Sequence, residues 1–246
     1  MMNRPLVLVC SCKKNTDLHE FYIKVFKNKI DFLIIIGGES ENYIKDNFLY
    51  LNCEDSYEML HQKIYLAYVF LYKKHKKNIL KIDDDSFLNI EKFLTYKFNY
   101  DIEGFIFPGN FCNYSYHENK VTDKRYKQKI TDTNLDPYVF CMGGGYFLNR
   151  KALKYIIKNA PSTVEFNNHL SFKKGREDRM VGQSFSQNLE KLKIKNNGYW
   201  IIEDADNNEF MYSVMEDLII HPFKKKELEV LFNKRKPRLW ALEVKK

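Results

Sequence analysis

Leu80-Lys81-Ile82-Asp83-Asp84-Asp85-Ser86-Phe87 is an apolar run that ends in three consecutive carboxylates. Adjacent acids repel one another, so a folded chain holds such a cluster at low cost only where something neutralises it. Hard oxygen ligands of this kind suit Mg²⁺ or Mn²⁺, ions that keep waters and share phosphate oxygens with a substrate. At the end of a central strand the acids would occupy the crevice where open α/β sheets bind ligands. The stretch therefore predicts a strand over Ile79–Ile82, an α/β fold around it, and a metal-bound nucleoside diphosphate at its carboxyl end.

The flanking sequence has the rhythm such a fold needs. Leu6 to Cys10 and Phe32 to Ile36 are continuous apolar runs, the pattern of strands covered on both faces. Phe48 to Leu51 is a shorter strand. Leu18 to Phe26 reads as a helix, and Ser56 to about His75 as a second, with Met59, Ile64, Ala67, Phe70 and Leu71 at helical spacing and Ser56 as candidate N-cap. Strand and helix alternate, as in a three-layer α/β sandwich. Beyond the acids, Ile90 to Phe98 reads as a helix and Gly104 to Pro108 as a strand. Phe111 to Tyr138 reads as short strands and loops. A glycine cluster then runs into a strand at Tyr146-Phe147-Leu148. Helices follow at Lys151 to Lys158 and within Arg176 to Leu192, the latter opening at Glu177-Asp178. Tyr199 to Ile202 and Leu218 to Ile220 are further strands, and Lys225 to Arg235 a C-terminal helix. No repeat or low-complexity linker interrupts the 246 residues, which suit one domain.

Composition narrows the class. The chain is 44% hydrophobic and 15% aromatic, enough for a packed interior and against wholesale disorder. A net charge of +8 would attract phosphorylated ligands, anionic membranes or nucleic acid, but it is spread over short lysine patches such as Lys73-Lys74-His75-Lys76-Lys77. The five cysteines, Cys10, Cys12, Cys53, Cys112 and Cys141, are odd in number and scattered, which reads as free thiols and not as a disulfide framework. Leu6 to Cys10 is too short to span a bilayer. With no leader or anchor visible, the expectation is a soluble chain in a reducing cytoplasm, that of the host cell if the source is viral.

Four segments stand in order: Lys81-Ile82-Asp83-Asp84-Asp85; Tyr138-Val139-Phe140-Cys141-Met142-Gly143-Gly144-Gly145-Tyr146; Glu177-Asp178-Arg179-Met180-Val181-Gly182; and His221 after an apolar strand. Upstream lies Asp55-Ser56-Tyr57, with Leu60 and Lys63 following. Together, from about Asp55 to His221, they resemble the β-1,3-galactosyltransferase and Fringe-like enzymes of glycosyltransferase family 31, which have a GT-A fold. The chain departs from that pattern at Tyr138-Val139-Phe140, which lacks a proline pair, and at Arg179 and Met180, which replace a valine and an aromatic. The expectation is a chain without the family's Golgi anchor and stem.

The resemblance implies a GT-A type α/β/α sandwich with a mixed central sheet and a Rossmann-like N-terminal half. Residues 1–90 would form the nucleotide-sugar half, 91–223 the acceptor half, and 224–246 a helix and tail. It implies transfer of a sugar from a nucleoside diphosphate, with UDP as the expected carrier, to a hydroxyl of a glycan or glycoprotein, with inversion. Asp85, Asp83 and His221 are the expected ligands of Mn²⁺ or Mg²⁺. Asp84 or Asp83 would take the ribose hydroxyls. Asp178, ahead of Glu177, is the candidate general base, with Asp136 as a fallback. Ser11, Cys12 and Lys13 follow the first strand and by topology should lie near the base of the nucleotide. Gly143, Gly144 and Gly145 would permit unusual φ and leave room where donor and acceptor meet. Their other reading is a bulge or tight turn. Whether Lys63 and Lys81 face the site or solvent stays open. Two other classes compete: a basic nucleic-acid-binding protein, against which no basic stripe interleaved with aromatics is found, and an inactive GT-A domain that only binds sugar.

Overall fold

The computed structural model describes residues 4–108, 139–160, 177–186, 189–204 and 209–222. Expectations for Phe111–Tyr138, Cys112 and Asp136 included, and for the C-terminal helix at Lys225–Arg235 fall outside them.

An eight-stranded mixed sheet forms the centre. Its parallel part comprises β1 (Leu6–Cys10), β2 (Phe32–Ile36), β4 (Phe48–Tyr50) and β5 (Ile79–Asp83). β3 (Tyr43–Lys45) pairs antiparallel with β4 at one edge. On the other side of β5, β8 (Val139–Leu148) runs antiparallel to both β5 and β7 (Ile102–Pro108), and β9 (Ile194–Asn196) closes that edge. A second, four-stranded antiparallel sheet holds β10 (Gly198–Asp204), β11 (Glu209–Val214), β12 (Ile219–His221) and β6 (Phe87–Leu88).

Why the central strands are apolar at every position follows from the layers. Side chains alternate across a strand. Leu6, Leu8 and Cys10 of β1 pack with α2 (Leu60–Lys74), α4 (Arg150–Asn159) and α5 (Glu177–Ser186), through Ile64, Tyr68, Leu153, Met180 and Phe185 among others. Val7 and Val9 face the opposite layer, built from α1 (Thr16–Phe26), α3 (Ile90–Thr95) and the small sheet, where Tyr22, Phe93, Tyr212 and Ile219 await them. This is the GT-A type α/β architecture.

Local details refine the expected boundaries. α1 begins two residues before Leu18. α2 begins at Leu60 with Met59 at its N-cap and no side-chain cap, so Ser56 does not cap it. α3 stops at Thr95, short of Phe98, and its cap is Asn89, whose side chain accepts from the Lys92 amide at 3.0 Å. β3, β9 and β11 were not legible as strands; the first two are three residues long and peripheral. Cys10, Cys12, Cys53 and Cys141 are free thiols.

The first turn of α2 carries His61, only 2% exposed, and burial lowers its pKa to about 4. The unfolded chain takes up this proton near pH 6.5, whereas the folded chain resists it to about pH 4. The stabilisation is therefore complete above pH 6.5 and is lost as pH falls toward 4, by about 3 kcal/mol. Urea unfolding at pH 7 and pH 4.5 should show this loss in the native protein, and a smaller one in His61→Gln. Equal pH dependence would exclude His61 as the cause.

Candidate active site

The candidate site forms where β1, β2 and β5 end. Cys10 pairs with Asp83 in register, and the Asp84 amide donates to Cys10 O at 3.1 Å, so the loop after β1 lies against the triplet. The three acids then take separate partners. Asp83 Oδ1 accepts from Lys81 Nζ at 2.6 Å. Asp84 Oδ2 accepts from Ser11 Oγ at 2.5 Å and from Asn15 Nδ2 at 2.7 Å. Asp85 Oδ1 lies 3.0 Å from His221 Nδ1.

His221 arrives from 136 positions downstream because β12 pairs with β6, setting Ile220 opposite Phe87. Its Nδ1 also contacts Ser86 Oγ at 3.0 Å, while that hydroxyl donates to Gly144 O at 2.6 Å. With the Ser86 hydrogen so used, Nδ1–H is the donor, and Nε2 keeps its lone pair for a ligand. Burial opposes charge on His221, but Asp85 and Asp83 outweigh it and raise its pKa.

Asp83, Asp85 and His221 offer ligand atoms that all lie within 4.8 Å of one another. Two carboxylate oxygens and an imidazole nitrogen, each partly accessible, make a donor set that fits Mn²⁺ or Mg²⁺. Burial raises the pKa of both Asp83 and Asp84, which is the cost a cation would offset.

Behind the acids lies Lys81, fully buried. Its ammonium donates to Asp83 Oδ1 at 2.6 Å, to Glu177 Oε1 at 2.7 Å and to Gly143 O. Glu177 is 4% exposed and also accepts from the Asp178 amide, so its carboxylate is committed to holding the start of α5. The neighbouring Asp178 is only partly buried.

A second ion pair shapes the loop after β1. Lys63 Nζ donates to Asp55 Oδ1 and to Ser11 O, both at 2.7 Å. Asp55 also accepts from the amides of Gly37, at 3.0 Å, and Lys13, at 2.6 Å. Burial works against this carboxylate, yet Lys63 and the two amides hold its pKa below the ordinary value. The ends of β1 and β2 are thus tied to α2. Gly38, at φ +83°, turns the chain after β2 where a residue with a Cβ would be strained. Lys13 is exposed and reaches Glu39 Oε1 at 2.7 Å and Gly38 O at 3.0 Å. Ser11 is turned inward, with His19 Nε2 2.8 Å from its hydroxyl.

The register of β8 against β7 shifts between Cys141 and Tyr146, so the glycine triplet lies at a bulge, one of the two expected readings. Gly143, Gly144 and Gly145 lie inside β8, and the only glycine at positive φ among the described residues is Gly38. A Cβ on Gly143 would meet the Glu177 carboxylate, one on Gly144 would meet His221 and Tyr212, and one on Gly145 would meet Ile219. At each of the three positions the space a Cβ would need is taken by protein. Glycine is required so that α5 and the small sheet can close onto β8.

Residues 27–197 match the family model described as Galactosyltransferase. The chain belongs to that family. It is a glycosyltransferase of the β-1,3-galactosyltransferase type, and no individual curated protein matches it. The match spans the acid triplet, the glycines and Glu177-Asp178, whereas Ser11, Lys13 and His221 lie outside it and rest on geometry alone. No described helix is long and apolar enough to cross a membrane.

Sequence reasoning missed Asn15, His19, Ser86 and Tyr212 as parts of this galactosyltransferase-family site. Nothing in their local sequence marks them. Lys63 and Lys81, left open between site and solvent, are both buried ion-pair hubs.

Removing Lys81 would leave Glu177 buried and unpaired, so Lys81→Met should cost about 3–5 kcal/mol. Adding Glu177→Gln removes the orphaned charge and should restore much of that stability. Asp83 would still lack its anchor, so calorimetry should find Mn²⁺ affinity down about tenfold in both variants. Recovery of metal affinity together with stability would show that Lys81 does not position Asp83.

Proposed function

We propose that this glycosyltransferase is a metal-dependent, inverting enzyme that moves a hexose or N-acetylhexosamine from a UDP-linked donor to a hydroxyl of a glycan or glycoprotein. The observation that carries the reading is the convergence of Asp83, Asp85 and His221 within 4.8 Å at the end of β5.

In this reading Asp83, Asp85 and His221 hold the ion, and a bound Mn²⁺ or Mg²⁺ supplies positive charge for the departing diphosphate. Ser11 and Asn15 orient Asp84 toward the ribose side of the donor. Lys13 and the loop Asp55 clamps form the wall near the nucleotide base. Gly143, Gly144 and Gly145 serve by letting His221 and Glu177 approach β8. Asp178 accepts the proton of the acceptor hydroxyl as its oxygen forms a bond to the anomeric carbon and the bond to the diphosphate oxygen breaks on the opposite face. The anomeric configuration inverts. Glu177 is a positioning residue in this scheme: its carboxylate is spent on Lys81 and on its own helix start. Asp178 is therefore preferred as the base.

Two variants separate the roles. Asp85→Asn keeps the shape and removes ligand charge. It should weaken UDP-sugar binding in Mn²⁺ about tenfold, about 1.4 kcal/mol. Calorimetry that finds unchanged binding would remove Asp85 from the ligand set. Asp178→Asn should leave donor Kd near the native value while kcat falls by about 10²–10⁴. Thermal stabilisation by UDP-, GDP- and dTDP-sugars with Mn²⁺ would first identify the donor. If Asp178→Asn keeps more than about a tenth of native turnover, the base lies elsewhere.

A further inference from the structure

Among the described residues the two ends of the central sheet differ in charge, although Lys13, Lys63 and Lys81 pair with Glu39, Asp55 and Glu177 at the end that holds the acids. One end, where the parallel strands finish, gathers Glu39, Glu54, Asp55, the Asp83–Asp85 triplet and Glu177-Asp178. The opposite end, where those strands begin, is basic. Lys27 and Lys29 lie in the turn into β2, and Lys73, Lys74, Lys76 and Lys77 before β5. The basic rim continues across the antiparallel half. Lys97 precedes β7, Lys151 follows β8, and Lys191 precedes β9. All of these except Lys77 are exposed. Among the described residues the acids on this rim are fewer than the lysines: Asp31 is paired with Lys77, Asp101 with Lys151 at 3.2 Å and Glu190 with Lys191 at 3.5 Å, and Asp46 lies in the turn before β4.

Helix dipoles explain only part of this. They favour cations at the C-terminal end of α2. Lys151 stands in the first turn of α4, the end where a cation is disfavoured, and Lys191 belongs to a 3₁₀ turn. The rim is also not purely polar. Leu94, Tyr100 and Leu189, respectively 45%, 37% and 47% exposed, lie among these lysines. The Leu94 carbonyl accepts from Arg4, and Lys195 Nζ sits 5.5 Å from the Tyr100 ring centre.

We propose that this basic end is a docking surface for an anionic phospholipid membrane. The eight strand ends follow one another over about 34 Å along the sheet. Lysine ammoniums with interspersed leucine and tyrosine are the chemistry of interfacial binding, in which lysine stems and apolar side chains reach the headgroup boundary. A nucleic-acid surface would instead favour arginines and stacked aromatics along a groove. An anionic leaflet would attract the lysine rim, while the Asp83–Asp85 triplet lies at the far end of the strands. The candidate active site would then face away from the lipid, about one strand length, or about 17 Å, above the docked rim. This inference does not depend on the proposed donor or metal.

Vesicle co-sedimentation of the full chain tests it. Phosphatidylcholine vesicles carrying about one-third phosphatidylserine should bind the protein at about 0.1 M salt and release it at about 1 M, where the screening length is about 3 Å. Pure phosphatidylcholine vesicles should bind it far less. Lys73→Glu with Lys76→Glu should weaken binding at least about tenfold. Lys14→Glu with Lys158→Glu makes the same change in net charge at exposed positions toward the other end, and should leave binding nearly unchanged. Circular dichroism melts check that both variants fold. Equal loss in the two double variants would mean that net charge alone is at work, and would overturn the proposal. So would failure to bind the phosphatidylserine vesicles, or tighter binding to duplex RNA or DNA at the same salt.

Discussion

The buried ammonium of Lys81 is the interaction on which the site depends. Three acceptors from three parts of the chain converge on it: Asp83 at the end of β5, Gly143 within β8 and Glu177 at the start of α5. The Glu177 carboxylate could not be buried without a cation beside it, and the cation could not be buried without its acceptors. The lysine lies in the middle of β5, beside Leu8 and Tyr146 in register, so its position is set by the sheet. Through one side chain the rigid centre of the fold determines where the first acid of the triplet points and where α5 begins.

The other half of the site comes from the small sheet. β6 follows the triplet by one residue and pairs with β12, so His221 returns to Ser86 and Asp85. The same closure places Tyr212 over β8, where its hydroxyl accepts from the Gly144 amide at 2.7 Å. The glycines are a consequence of this packing: β8 must be bare where Glu177, His221, Tyr212 and Ile219 press onto it. Backbone and metal-site geometry are thus coupled, and a side chain added to β8 would be felt first at His221.

Among the described residues of this galactosyltransferase-family chain, charge is unevenly distributed along the strand axis. Acids that suit a cation and a diphosphate collect where the strands end, and lysines where they begin. The net charge of +8 says little by itself, because it does not show where on the fold the cations lie.

The sequence by itself determined the central strands, the α/β alternation, the family resemblance and the identity of the clustered acids. Each rests on local pattern: continuous apolar runs, helical spacing and short motifs. Only the tertiary structure set the contacts within the cluster. Whether Lys81 pointed to solvent or inward depended on which face of β5 α5 covers. That Glu177 is buried against Lys81 while Asp178 is only partly buried depended on the same packing. The meaning of the glycine triplet depended on a sheet formed more than fifty residues downstream. Asn15, His19, Ser86 and Tyr212 left no local mark, since a hydrogen bond between distant residues requires no neighbouring pattern. Ser56 misled for the converse reason: it has the chemistry of a helix cap, but α2 starts four residues later. Local pattern encodes which face of an element is apolar, whereas the partner of a buried polar group is set by which elements meet there.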